Sequence, residues 1–278
     1  LLLAALGGLP LRPVLDRAAL ATLWPMALPQ VAAIAVMAGR YRLFLLMLGL
    51  IASEAVLAVS HFAFRMLDAA LLMVWQATGR IAMPRLCGLR HDREAQAEAF
   101  GDLAQLQALL GMPLAAGIAL TAPDLVQALL GPAWRGSAQA AQVVGIAAVL
   151  SFVHGDTPSL FVARGKARMN ILLNLGALVL PLAALLLVQP HSAALAALAW
   201  ASQSLLLPPL LTWLVLREVD RPLSWLLARI APALVATGAM AATVLGLELL
   251  VQLPALGELV MAAAAGGGVY VAVASAML

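Results

Sequence analysis

Beyond Glu54 at its start, three ionisable side chains interrupt the apolar run "SEAVLAVSHFAFRMLDAALLMVWQA": His61, Arg65 and Asp68. Their i, i+4, i+7 spacing puts them on one face of a helix. At i, i+3, Arg65 and Asp68 are also close enough to pair. An ionisable residue at the centre of a membrane-crossing helix costs about 2.5–3.5 kcal/mol to insert, and such residues face a cavity or a partner. Two chemistries fit. A guanidinium in a cavity matches phosphate oxygens in bidentate fashion and would hold an anionic substrate. The same trio would also serve as a structural ion pair locking its helix to neighbours.

Two further places carry chemistry. In "SFVHGDTPSLFVARGKAR", His154, Gly155, Asp156 and Pro158 suggest an interrupted helix with exposed carbonyls. Breaks of this kind occur at transporter ion sites, so His154 and Asp156 are candidates for coupling to a proton or cation; a plain kink with a satisfied histidine is the alternative. Arg40 and Arg42 fall just beyond an apolar segment. They would receive a phosphate on the outer side or snorkel to lipid headgroups. No catalytic constellation is present: there is no HExxH, no Walker loop and no serine elbow. With one cysteine, Cys87, the chain has no internal disulfide and no cysteine cluster for a metal. Neither a metal nor a cofactor is implied, and the reading is not that of an enzyme.

The elements that must position these residues follow from composition. Of 278 residues, 64% are hydrophobic and 10% charged, against about 25% charged in soluble domains. Mean hydropathy is +1.01. The apolar residues come in blocks of about 20, the length of a helix that crosses a bilayer, and nothing alternates with the period of a transmembrane barrel. These features predict an all-α polytopic bundle of about eight spans, near residues 18–38, 55–79, 101–121, 138–162, 169–189, 193–216, 226–250 and 257–278. Residues 1–9 read as the end of a preceding helix. The chain opens on Leu1 inside an apolar run with no charged leader, so it is expected to be the downstream part of a larger protein.

A pI near 9.7 invites thoughts of nucleic acid, but the arginines sit in short loops that orient spans. Loops at 10–17, 80–100, 163–168 and 217–225 hold Arg12 and Arg17; Arg80, Arg85, Arg90 and Arg93; Arg164, Lys166 and Arg168; and Arg217 and Arg221. The loops between them are poor in Lys and Arg, apart from 39–54 with Arg40 and Arg42. This alternation places the Arg-rich loops in the cytoplasm. Within 89–110, Asp92 is expected to cap a surface helix whose first turn holds Glu94. Gly266, Gly267 and Gly268 are expected to permit close helix approach.

Four stretches, in order, resemble the Wzx-type polysaccharide flippases of the multidrug/oligosaccharidyl-lipid/polysaccharide exporter superfamily. "AGRYRLFLLMLG" with "AVSHFAFRMLDAALLMVWQA" looks like the family's seventh helix end and eighth helix, where Arg40, Ala63, Phe64 and Arg65 match and Gly39 replaces an acid. "IAMPRLCGLRHDREAQAEAF" is similar to a loop with a proline and an acid, here Pro84 and Asp92. "LTAPDLVQALLGPAWRGSAQAAQVVGI" looks like a hairpin with a G-x-x-W turn, carried by Gly131 and Trp134. "LFVARGKARMNILLNL" resembles the exit from the tenth helix, with Ala163, Gly165 and Lys166.

The resemblance implies a second six-helix lobe at 18–216, after the helix end and cytoplasmic loop of 1–17, and an additional C-terminal helix pair at 217–278. A first lobe would lie upstream. It implies a multi-pass protein of the bacterial inner membrane. Such a protein carries undecaprenyl-pyrophosphate-linked oligosaccharide across the bilayer by alternating access, for lipopolysaccharide, O-antigen or exopolysaccharide assembly. Arg65 is the first candidate for substrate contact, with Asp68, His61, Arg40 and Arg42. A drug/cation antiporter of the same superfamily and a membrane-embedded polymerase or ligase are the alternatives. The partners implied are the lipid-linked substrate, the bilayer and the upstream lobe, with no nucleic acid.

Overall fold

The computed structural model describes residues 17–250 and 254–278. The expected helix end at 1–9 and most of the loop at 10–17 lie outside the described residues. Among those described, every regular element is helical: α1 (Arg17–Ile51), α2 (Glu54–Gly88), α3 (Arg93–Leu130), a 3-10 turn at Pro132–Trp134, α4 (Arg135–Leu150), α5 (Thr157–Ala163), α6 (Arg168–Val188), α7 (Ala193–Val219), α8 (Leu223–Leu250) and α9 (Ala255–Met277). Seven of these are long and apolar enough to cross a membrane: α1 from Leu23, α2, α3, α6, α7, α8 and α9. The fold is the expected all-α polytopic bundle.

Its differences from the expected spans have physical causes. The fourth expected span, 138–162, is divided. α4 is 16 residues long, about 24 Å. It ends in i→i−3 turns in which Ser151, Phe152 and Val153 donate to Ala148, Val149 and Leu150. Gly155 then takes φ 62° in the link, and Thr157 with Pro158 starts the short α5. The region expected as an outer loop at 39–54 is mostly helix, because α1 runs on to Ile51. Arg40 and Arg42 are therefore helical residues, about three turns before the end of α1. At 79–100, α2 continues through Pro84 to Gly88 and α3 begins at Arg93, leaving only 89–92 between them. Asp92 caps as expected, its Oδ1 accepting from the Ala95 amide at 3.0 Å. The helix it caps is the start of a 38-residue α3, so it leads without a break into the third expected span.

The centre of the bundle is α2, α3, α4 and α7. Small residues let these backbones approach. A Cβ on Gly111 would lie 2.2–2.5 Å from the Phe152 ring, which is fully buried and stacked on Trp75 at 5.0 Å. α1 packs chiefly on α6, and α6 on α7. The α8–α9 pair packs on the far side of α3. There Gly266 touches Val244, while Gly267 and Gly268 meet nothing, so one of the three expected contact glycines is used.

Three Arg-rich segments gather at one end of the bundle. A charge ladder marks it. Arg221 bonds Glu94 and Glu98, Arg229 bonds Glu98 and Asp102, and Arg85 reaches Asp102 at 3.0 Å. Lys166 pairs with Glu218 at the same end. Glu94, Glu98 and Asp102 repeat every fourth residue on one face of α3, and Trp225 lies against the guanidinium groups of both Arg221 and Arg229. Gly101 makes room, since a Cβ there would strike Arg229 and Trp225 at 2.7–2.8 Å.

Candidate functional site

α2 buries one side against its neighbours through Ala63, Phe64, Leu67, Leu71 and Val74. The opposite side is exposed and carries Glu54, His61, Arg65, Asp68, Gln76 and Arg80. These residues fall within roughly a third of the helix circumference at 100° per residue. Arg65 is the twelfth residue of the helix, about 16 Å along its axis from Glu54, near the middle of a 30 Å hydrocarbon layer. The expected His61–Arg65–Asp68 face therefore forms, and it is exposed among the described residues.

The partners of this face come from two other helices. The Tyr41 hydroxyl on α1 lies 3.0 Å from His61 Nδ1. Arg40 turns the other way. Its Nη1 donates to Gln203 Oε1 on α7 at 3.0 Å, and its guanidinium lies 5.9 Å from the Trp200 ring centroid. Asp68 lies one turn beyond Arg65 on the same exposed face. Beneath these groups Tyr41, Phe44, Phe64 and Trp200 form an aromatic cluster with centroids 5.0–6.3 Å apart. This cluster fixes the depth at which α1, α2 and α7 meet. Arg42 is exposed on α1 and lines a crevice of about 530 Å³ with Leu45, Leu46, Glu54, Leu57, Ala58 and His61. The structure thus places Arg40, Asp68, Arg65 and His61 around one α1–α2–α7 junction and sets Arg42 one turn toward the α1–α2 hairpin.

His154 and Asp156 are not on this open face. Each is 8% exposed, in the link between α4 and α5. His154 Nδ1 lies 3.0 Å from Gly155 O and from Thr157 Oγ1. Asp156 Oδ2 accepts from Ser159 Oγ at 2.7 Å. The break itself is as expected, but its carbonyls are not free: His154 O accepts from the Thr157 hydroxyl and Gly155 O from the Thr157 amide, both at 3.0 Å. Asp156 faces α2, where a Cβ on Gly79 would lie 4.0 Å from Oδ2. Among the described residues no group of three or more His, Cys, Asp or Glu is placed to hold a metal ion.

Sequence reasoning missed Tyr41, Trp200 and Gln203. Gln203 had a signal, because an amide inside "ALAALAWASQSLLL" needs a hydrogen-bond partner at membrane depth. Tyr41 had less, since a lone tyrosine near a span end is common at interfaces.

A bundle of spans with a polar stripe facing away from its own core defines a multi-pass helical membrane protein. The family model for polysaccharide biosynthesis proteins matches residues 8–139, just under half of the chain, from before α1 into α4. That stretch, which includes the whole α2 stripe, is similar to the family. No curated protein and no solved structure matches the chain.

Proposed function

We propose that the protein is a transporter, not an enzyme, which moves a lipid-linked oligosaccharide of the undecaprenyl-pyrophosphate class across the bacterial inner membrane. The observation that carries this reading is the α2 stripe. Arg65 stands at membrane depth on an uncovered helix face beside His61 and Asp68, in a chain that is 10% charged. Such a side chain is retained where it faces a cavity, and a guanidinium there suits the phosphate and hydroxyl oxygens of a sugar-phosphate. The similarity of residues 8–139 to polysaccharide biosynthesis proteins supports the same substrate class.

In this reading α1–α7 form one lobe, the stripe lines its cavity wall opposite a first lobe, and α8–α9 are an appended pair. The basic end faces the cytoplasm, in line with the positive-inside rule. Tyr41, Gln203 and Arg40 hold the α1–α2–α7 junction around the cavity, and His154 with Asp156 supply the coupling-ion site behind α2.

The test is translocation of lipid-linked oligosaccharide in vesicles. Arg65→Ala should abolish most transport, and Arg65→Lys should restore part of it, with membrane abundance unchanged in both. Normal transport by Arg65→Ala would make Arg65 structural and remove the assigned site.

A further inference from the structure

The basic end contains cations of two kinds. Arg85, Arg221, Arg229 and Lys166 each meet a carboxylate. The Arg93 and Arg164 side chains make no hydrogen bond or ion pair among the described residues, and Arg164 Nε is buried without a partner. The fold brings these two together. Gly155 rests on Phe100 and Ala104 of α3, where its Cβ would lie 3.1 and 2.8 Å from them. From Phe100 back to Arg93, and from Thr157 on to Arg164, are equal lengths of helix running toward the same end, about 10 Å each. The two residues therefore stand at a similar height, on α3 and at the end of α5.

Their electrostatics agree. Burial pushes the Arg164 guanidinium below its ordinary range, and Arg93 pushes it the same way; Glu218 opposes them. Glu218, however, is already bonded to Lys166, and Asp92 is engaged in capping α3. Both of these carboxylates are thus engaged, while Arg168 at the start of α6 adds a further exposed cation. Two like charges close enough to act on each other favour a bridging anion, and forked donors suit one with several oxygens. Basic pockets between spans take the phosphate of lipid headgroups.

We propose that Arg93 and Arg164 form a binding site for a phosphate group, presented by an anionic lipid headgroup or by the free ion. The site is separate from the α2 stripe, so it stands or falls without reference to what is transported. The purified protein would be titrated with phosphatidylglycerol, with phosphatidylcholine as the uncharged comparison, and bound lipid counted by native mass spectrometry. Inorganic phosphate forms a second arm, read by thermal shift and by competition with the lipid.

Arg93→Gln/Arg164→Gln should weaken phosphatidylglycerol binding by roughly ten- to thirty-fold. Arg85→Gln, which removes a cation already paired with Asp102, should change it little. Arg164→Lys should retain part of the affinity. Binding that resists millimolar phosphate assigns the site to a lipid headgroup, and stabilisation by phosphate with displacement of lipid assigns it to the free ion. Equal losses in the double variant and in Arg85→Gln would reduce the effect to general surface charge and overturn the proposal, as would no loss in either. If the double variant fails to fold, Arg93→Gln alone carries the test, since Arg93 is exposed at the first turn of α3.

Discussion

Arg40 and Arg65 show how differently one residue type is used at neighbouring depths. Arg40 has a fixed acceptor in Gln203 and an aromatic face in Trp200, whereas Arg65 has no hydrogen-bond acceptor among the described residues. Gln203→Leu removes the Arg40 acceptor without touching the α2 stripe. That change should cost about 1–3 kcal/mol of stability, as expected when a group at depth is left unsatisfied, and thermal unfolding in detergent would measure it. Gly111 gives a sharper case. Gly111→Ala drives a methyl group into the Phe152 ring, and overpacking of this kind costs about 1–3 kcal/mol. Combining it with Phe152→Leu should recover part of the loss, and a double variant no more stable than Gly111→Ala would show that the ring is not the obstacle. At this scale the sequence exposed whatever lies on a single helix. His61, Arg65 and Asp68 share a face by spacing alone. Partners on another helix, such as Tyr41 for His61 and Gln203 for Arg40, depend on which helices pack and at what height, and spacing within one segment carries no such information.

Helices α2 and α3 are longer than the spans expected for them because hydrophobicity marks where a helix meets lipid, not where its hydrogen bonds stop. Pro84 lies inside α2 and Pro113 and Pro123 inside α3, so prolines did not mark these ends either. The break between α4 and α5 was legible for the opposite reason: Gly155, Asp156 and Pro158 act locally, through a left-handed residue, a side-chain cap and an early-turn proline. The α3–α8 ladder also left a trace, in acids at 94, 98 and 102 and arginines at 221 and 229, although the pairing across 127 residues could not be read from either set alone. With the partners 22–49% exposed, each pair is worth about 0.2–1 kcal/mol and is weakened by salt. A double-mutant cycle on Glu98→Ala and Arg229→Ala should give a coupling of that size at low ionic strength. It should shrink toward zero at about 1 M salt, where the screening length is near 3 Å.

The whole molecule has two distinct ends. Residues 89–92, 163–167 and 220–222 lie at the basic end, tied by the Arg221–Glu94 and Lys166–Glu218 pairs. The 3-10 turn lies at the other, where Gly136 rests on Val59 and near Ala193. Single cysteines at His91 and Lys166 should react with an impermeant maleimide from one side of sealed vesicles, and those at Ala133 and His191 from the other, in a background with Cys87 replaced. Labelling of all four from the same side would contradict the topology. Between Asp102 and Asp124, α3 carries no charge, and this interval is close to the roughly 20 residues that cross a bilayer. The ten residues from Arg93 to Asp102 then lie beyond the hydrocarbon, and they are the rung-bearing part of the ladder. The α8–α9 pair is consequently fastened to the bundle in two media. Its dry contacts, such as Tyr270 to the Leu109 carbonyl at 2.6 Å, answer to bilayer thickness, and its wet edge answers to ionic strength, so the same joint can be loosened from either side without disturbing the other.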